Sequence, residues 1–177
     1  MKNIIITAIL FGSGFLSQAQ EVGLQLYSLR DQFKVDVSNT LGLIEEWGIT
    51  NIEGGGTYDM PMEDFKTLLA EHNLNMVSVG AQFGDLENDI DKVVKNAKAF
   101  GATYVMCAWV PHDDNKWDLE ETQHATDVFN KAGKILKKNG LTLAYHAHGY
   151  EFRPYKNATL FDYMAEHAKD FSFELDV

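Results

Sequence analysis

The chain has 177 residues, with 26 acidic against 15 basic side chains and a net charge of −11. That is one domain's worth of protein or less, and its surface repels phosphate backbones, which argues against a nucleic-acid partner. A hydrophobic fraction of 45% excludes disorder, and the lone cysteine, Cys107, excludes a disulfide framework, so stability has to come from a packed core.

Lys2 opens a short positive start, residues 4–16 form an apolar run, and Ser17-Gln18-Ala19 supplies small residues before a cut. The pattern is that of a secretory signal peptide covering residues 1–19, with an exported domain over residues 20–177 that is periplasmic or secreted. No other stretch is long and apolar enough to be a membrane span.

Residues 22–27 form the first β-branched or apolar run, bringing Gln25 and Tyr27 to one face of a strand. Leu41, Ile44 and Trp47 follow at helical spacing, and Gly48 ends that helix. The second run, residues 49–53, ends in Glu53 before Gly54-Gly55-Gly56. These glycines lack the spacing of a dinucleotide fingerprint. Pro61 suits the first turn of the next helix, whose stripe is Phe65, Leu68 and Leu69. Residues 75–80 form the third run, followed by Ile90, Val93, Val94, Ala97 and Phe100, then Gly101. The fourth, residues 103–108, holds Cys107 as a buried small hydrophobe. Trp109 comes next, suited to stacking on a sugar ring or to covering a loop.

Asp118 with Glu121 reads as a capping box for a helix striped by Ala125, Val128, Phe129, Ala132, Ile135 and Leu136, closed by Gly140. The fifth run, residues 141–146, leads into Tyr145-His146-Ala147-His148-Gly149-Tyr150-Glu151-Phe152. Thr159 with Asp162 caps a last helix striped by Phe161, Met164, Ala165 and Ala168. In the sixth run, residues 171–177, Phe173, Leu175 and Val177 share one face, and Glu174 and Asp176 share the other.

Strands alternating with helices imply βαβ crossovers and a parallel sheet. With no phosphate-binding glycine loop after the first strand, and polar residues at the carboxyl ends of many strands, the reading is a (β/α)₈ TIM barrel. About six of eight units are present, so the sequence reads as a fragment of a longer barrel.

Acidic side chains inside a barrel are costly unless paired or bound to a cation. Carboxylates beside histidines suit manganese, magnesium, cobalt or zinc. Each group also has a plainer reading. His146 and His148 could be satisfied core histidines, Glu151 a solvated loop residue, Asp176 a helix cap, and Glu53 the partner of Arg30. His72, His112, His124 and His167 read as surface residues.

The segment 145–152 resembles the Y-H-N-H-x-x-E-F segment of xylose isomerase-like barrel proteins, the sugar phosphate isomerases/epimerases. Gly23-Leu24-Gln25-Leu26-Tyr27-Ser28-Leu29-Arg30 and Phe173-Glu174-Leu175-Asp176-Val177 resemble their first and sixth strands. The resemblance implies a divalent metal held by Glu151 and Asp176, completed by a His and a Glu from seventh and eighth strands. It implies that His146, His148 and Glu53 contact the substrate or move protons, with Gln25, Tyr27, Trp109 and Glu174 around a carbohydrate. Ala147 stands where the family has Asn, and related epimerases place their Glu where this chain has Tyr145 or His146. The implied reaction is proton transfer next to a carbonyl on a neutral sugar or derivative. A lyase or dehydratase on keto-sugars or keto-glycosides, and a non-catalytic carbohydrate-binding barrel, are the alternatives. An apurinic endonuclease would need more histidines on early strands and a basic groove.

Overall fold

The computed structural model describes residues 22–54, 56–113 and 117–175. The expected signal peptide and Asp176 lie outside the described residues. Six parallel strands form one sheet: β1 (Gly23–Gln25), β2 (Asn51–Gly54), β3 (Asn75–Gly80), β4 (Tyr104–Cys107), β5 (Thr142–His146) and β8 (Ser172–Glu174). Between β5 and β8 a two-stranded hairpin, β6 (Pro154–Tyr155) and β7 (Ala158–Thr159), forms separately. The helices are α1 (Arg30–Phe33), α2 (Val37–Glu46), α3 (Met62–Glu71), α4 (Phe83–Asn88), α5 (Ile90–Phe100), α6 (Leu119–Lys138) and α7 (Leu160–His167).

Spatial order follows sequence order across the large sheet, β1-β2-β3-β4-β5-β8, every pair parallel. A doubly wound sheet reverses direction at a switch point. A barrel does not, and this sheet has no reversal. It is also curled. Three strands separate β2 from β8, about 19 Å across a flat sheet at the usual strand spacing. The Glu53 and Glu174 carboxyls are nonetheless within hydrogen-bonding reach of each other.

Period-two alternation sends Ile52, Val105, Leu143 and Tyr145 outward into the helix layer, where all four are fully buried. Leu41 and Ile44 of α2, Phe65 and Leu69 of α3, and Val93 and Ala97 of α5 complete that core. From α6, Ala125, Phe129, Ala132 and Leu136 meet the same strands. Each large side chain buried this way contributes roughly 1.5–3 kcal/mol.

The expected caps form. Asp118 and Glu121 make a reciprocal capping box on α6, and Thr159 and Asp162 one on α7. Gly48, Gly101 and Gly140 end their helices with φ of 73°, 71° and 77°, the left-handed conformation that glycine tolerates. Pro61 sits one residue before α3, at its N-cap.

Several expectations are corrected. The chain leaves β1 for a 3₁₀ turn at Leu26, so Tyr27 lies beyond the strand and is exposed. Trp47 falls past the end of α2 and is 54% exposed, despite its place in the stripe. Ala165 is exposed. Leu175 does not join the helix-facing layer: β8 pairing stops at Glu174, and Leu175 is 68% exposed.

Two details fix the site's frame. The β2–β3 register shifts between Ile52 and Glu53, which brings Glu53 opposite Ser78. On α6, Asn130 accepts from the backbone N–H of Lys169 at 2.7 Å and donates to the His167 carbonyl at 3.0 Å, clamping the segment that leads into β8. There Gly133 meets the chain so closely that an added Cβ would lie 2.0 Å from the Asp170 carbonyl oxygen.

Candidate functional site

A cavity of about 650 Å³ opens at the carboxyl ends of the strands, the end at which barrel enzymes carry their sites. Gln25, Tyr27, Glu53, Trp109, His146 and His148 all line it, together with Arg30, Tyr58, Gln82 and Met106. A second hollow, about 700 Å³ around Asn73, Met76 and Phe100, lies beside α3, and Lys66 is its one titratable side chain. Chemistry belongs to the first.

Its floor is a polar network. Register places Gln25 directly across from Glu53, and Gln25 Nε2 donates to Glu53 Oε1 at 2.8 Å. Ser78 Oγ donates to Glu53 Oε2 at 2.5 Å. Both carboxylate oxygens are therefore oriented by neutral donors. The plainer reading of Glu53, an ion pair with Arg30, does not form: Arg30 donates to the Tyr27 carbonyl at 3.2 Å, with its guanidinium 4.8 Å from the Tyr27 ring centroid.

The β5–β8 register sets His146 opposite Glu174, and His146 Nδ1 lies 2.9 Å from Glu174 Oε1. Burial holds the Glu174 carboxyl above the usual carboxylate range. The His146 hydrogen bond pulls it back, and the neighbouring Glu53 pushes it up again. A base oriented by two donors thus stands beside a carboxyl–imidazole pair that can carry a proton.

The rim is aromatic. Trp109 is 48% exposed, and its ring meets His112 at 4.6 Å, Tyr150 at 5.5 Å and His148 at 5.9 Å. His148 stands 5.1 Å from His146, ring to ring. Burial, then the charge of His146, lowers its pKa, favouring a neutral imidazole that can donate or accept. Of the four histidines read as surface residues, two are corrected: His112 is half-buried, its ring 3.8 Å from that of Tyr150, and His72 is half-buried, its Nδ1 3.0 Å from Glu45 Oε2. Trp117 is buried at 1% exposure, its ring 4.9 Å from that of Tyr150 and 5.6 Å from that of His112. Cys107 is buried, which pushes its thiol up to about 11, so it is no nucleophile.

Glu151 lies elsewhere. It is 0% exposed, inside the 3₁₀ turn Tyr150–Phe152, and it does not line the cavity. It accepts from the Tyr145 hydroxyl and from the His148 backbone N–H, at 3.2 Å to Oε2. The Tyr145 hydroxyl also lies 3.0 Å from that of Tyr150, and the Tyr150 hydroxyl accepts from Val110 N–H at 3.4 Å. Burial, with the charge of Glu151 next, drives the Tyr145 phenol far above its ordinary pKa; burial pushes that of Tyr150 up to about 12. Among the described residues no group of three His, Cys, Asp or Glu side chains gathers as a metal site. The oxygens of Glu151, the residue that the resemblance implied as a ligand, are thus engaged by Tyr145 and the His148 amide, away from the cavity.

Sequence reasoning missed Ser78, Arg30, Tyr58 and the Tyr145–Tyr150 pair. Ser78 had a signal: it shares a face of β3 with Met76 and Gly80, a lone hydroxyl in an apolar strand.

No family model and no curated protein matches the sequence. Solved structures do. A sugar phosphate isomerase/epimerase from Parabacteroides distasonis is similar at 22% identity and a TM-score of 0.74, covering 91% of this chain and 67% of its own. An AP endonuclease, family 2, from Brucella melitensis is similar at 15% identity and a TM-score of 0.64, covering 88% and 67%. A xylose isomerase-like TIM barrel protein from Mycobacterium smegmatis, in complex with magnesium, is similar at 16% identity and a TM-score of 0.53, covering 72% and 55%. Among the described residues no helix is long and apolar enough to cross a membrane. At these identities the likeness is one of fold: the chain has a TIM-barrel architecture like that of these structures, with six parallel strands of the barrel sheet among the described residues.

Proposed function

We propose that this chain belongs to a sugar isomerase or epimerase that moves a proton at the carbon next to a carbonyl, on a neutral sugar or sugar derivative. The observation that carries the proposal is Glu53 on the cavity wall, held by Gln25 and Ser78, with His146 also lining the cavity and Glu174 behind it, bonded to His146. Glu53 takes the proton from carbon, its lone pairs aimed by two fixed donors. His146, with Glu174 at Nδ1, returns it, a division of labour that suits general acid–base catalysis. Neutral His148 binds a sugar hydroxyl, and the apolar face of the ring stacks on Trp109, as amphipathic rings do on indole.

A divalent ion, whether manganese, magnesium, cobalt or zinc, is part of the proposal. It is supported by the magnesium of the Mycobacterium smegmatis neighbour, with Asp176 as the ligand contributed by this chain in place of Glu151. Such an ion supplies charge stabilisation to an enediolate. Export of the domain, also a proposal, favours neutral sugars, since phosphorylated ones are mainly cytoplasmic. The net charge of −11 and the Glu53–Glu174 carboxyl pair at the site disfavour a DNA-cleaving reading.

The test is deuterium exchange in D₂O by the complete protein. A panel of aldoses, ketoses and their glycosides is supplied with each of the four ions, then with a chelator. Deuterium should enter next to the carbonyl, and chelation should abolish it. No exchange with any sugar would overturn the proposal, and loss of water or of the glycosidic group without exchange would replace it with the lyase reading.

A further inference from the structure

Glu151 sits on the opposite side of β5 from the cavity. His146 points inward, to Glu174 and the floor. Its neighbour Tyr145, by strand alternation, points outward into the helix layer, where it is fully buried with its ring 4.8 Å from Phe129 of α6. Glu151 joins the Tyr145 side. A buried carboxylate needs donors to offset its lost hydration, and here they come from the protein: the Tyr145 hydroxyl and the His148 amide. Through Tyr145 the network runs on to Tyr150 and the Val110 amide. It thereby joins the loop after β5, which carries His148, to the loop after β4, which carries Trp109. Swinging Glu151 towards the cavity would take the acceptor away from the Tyr145 hydroxyl and the His148 amide and loosen the link between the two loops.

We propose that Glu151 is a positioning residue that locks these two loops so that His148 and Trp109 face the cavity, and that it does not ligate a cation. The proposal stands apart from the reaction suggested above, because none of its readouts is activity.

The experiment uses Glu151→Gln, Glu151→Ala and Tyr145→Phe in the complete protein. Amide exchange is followed at His148 and Val110, with Val79 of β3 as internal reference, and Mn²⁺ affinity is measured by EPR. Glu151→Ala should speed exchange at His148 and Val110 by about tenfold or more relative to Val79. Tyr145→Phe should do so mainly at Val110. Glu151→Gln, which keeps an acceptor oxygen, should stay closer to the wild type. Mn²⁺ should bind wild type and Glu151→Gln alike, or neither. A tenfold or larger loss of Mn²⁺ affinity in Glu151→Gln, the scale expected when a metal site is damaged, would overturn the proposal. So would unchanged local exchange in Glu151→Ala. If Glu151→Ala does not fold, Glu151→Gln and Tyr145→Phe carry both measurements.

Discussion

Two carboxylates, Glu53 and Glu151, stand at the carboxyl ends of barrel strands and look alike in the sequence. Their surroundings differ completely. Glu53 lies on the inner face of β2 and opens onto the cavity, held by Gln25 and Ser78. Glu151 lies in a turn beyond β5, is fully enclosed, and answers to Tyr145 and the His148 amide. Strand alternation assigns the first to the interior. Nothing periodic governs the second, because two residues past the last strand position the chain can turn either way. A carboxylate near a barrel's catalytic end can therefore serve chemistry or architecture, and what separates the two is which face of the sheet its donors occupy.

The largest expected effect tests this contrast directly. Glu151→Ala removes the acceptor shared by the Tyr145 hydroxyl and the His148 amide, leaving Tyr145 only its contact with Tyr150, and should cost about 2 kcal/mol in urea denaturation. Glu53→Gln should change stability by less than about 1 kcal/mol, yet lower proton exchange about 100-fold. Equal stability losses would erase the distinction.

A smaller effect concerns Glu174. Burial raises its carboxyl above the usual range, so the folded chain holds that proton more tightly than the unfolded chain does. The associated stability is full below the ordinary Glu range and is lost as pH rises through the raised folded value. Wild-type stability should thus fall relative to Glu174→Gln between pH 4 and 7. A pH-independent difference between the two would show that burial beside His146 does not raise the Glu174 carboxyl.

The smallest effect is spectroscopic. Burial and His146 lower the His148 pKa, so its imidazole should titrate below 6.5 by NMR, and His146→Ala should restore part of the shift. A midpoint above 6.5 would mean that neither partial burial nor His146 governs this imidazole.

The fold was legible where hydrophobic pattern is strong. Residues 75–80 read as a strand and β3 is Asn75–Gly80, while the other five strands fall within the runs or one residue beyond them. α4 was not legible, because six residues including Gly84 carry no sustained stripe. The two-residue strands of the β6–β7 hairpin carry no period at all. At the site, Gln25, Glu53, His146 and Glu174 were accessible to reasoning from strand parity. Tyr27 and Trp109 reach the cavity from beyond their strands, so their residue type pointed to them and their geometry did not. The enclosure of Glu151 was not legible, because motif resemblance carries no information about the side of the sheet to which a loop returns.

The contact at Gly133 bears on how such a site can drift over generations. α6 touches nothing in the cavity, yet it rests against the backbone at Asp170, four residues before Glu174. A methyl group there cannot be accommodated, so any other residue at 133 would shift the approach to β8 and carry Glu174 with it. The spacing between the floor carboxyls is thus written partly in a helix on the far side of the sheet. A survey of variants confined to the cavity wall would never find it.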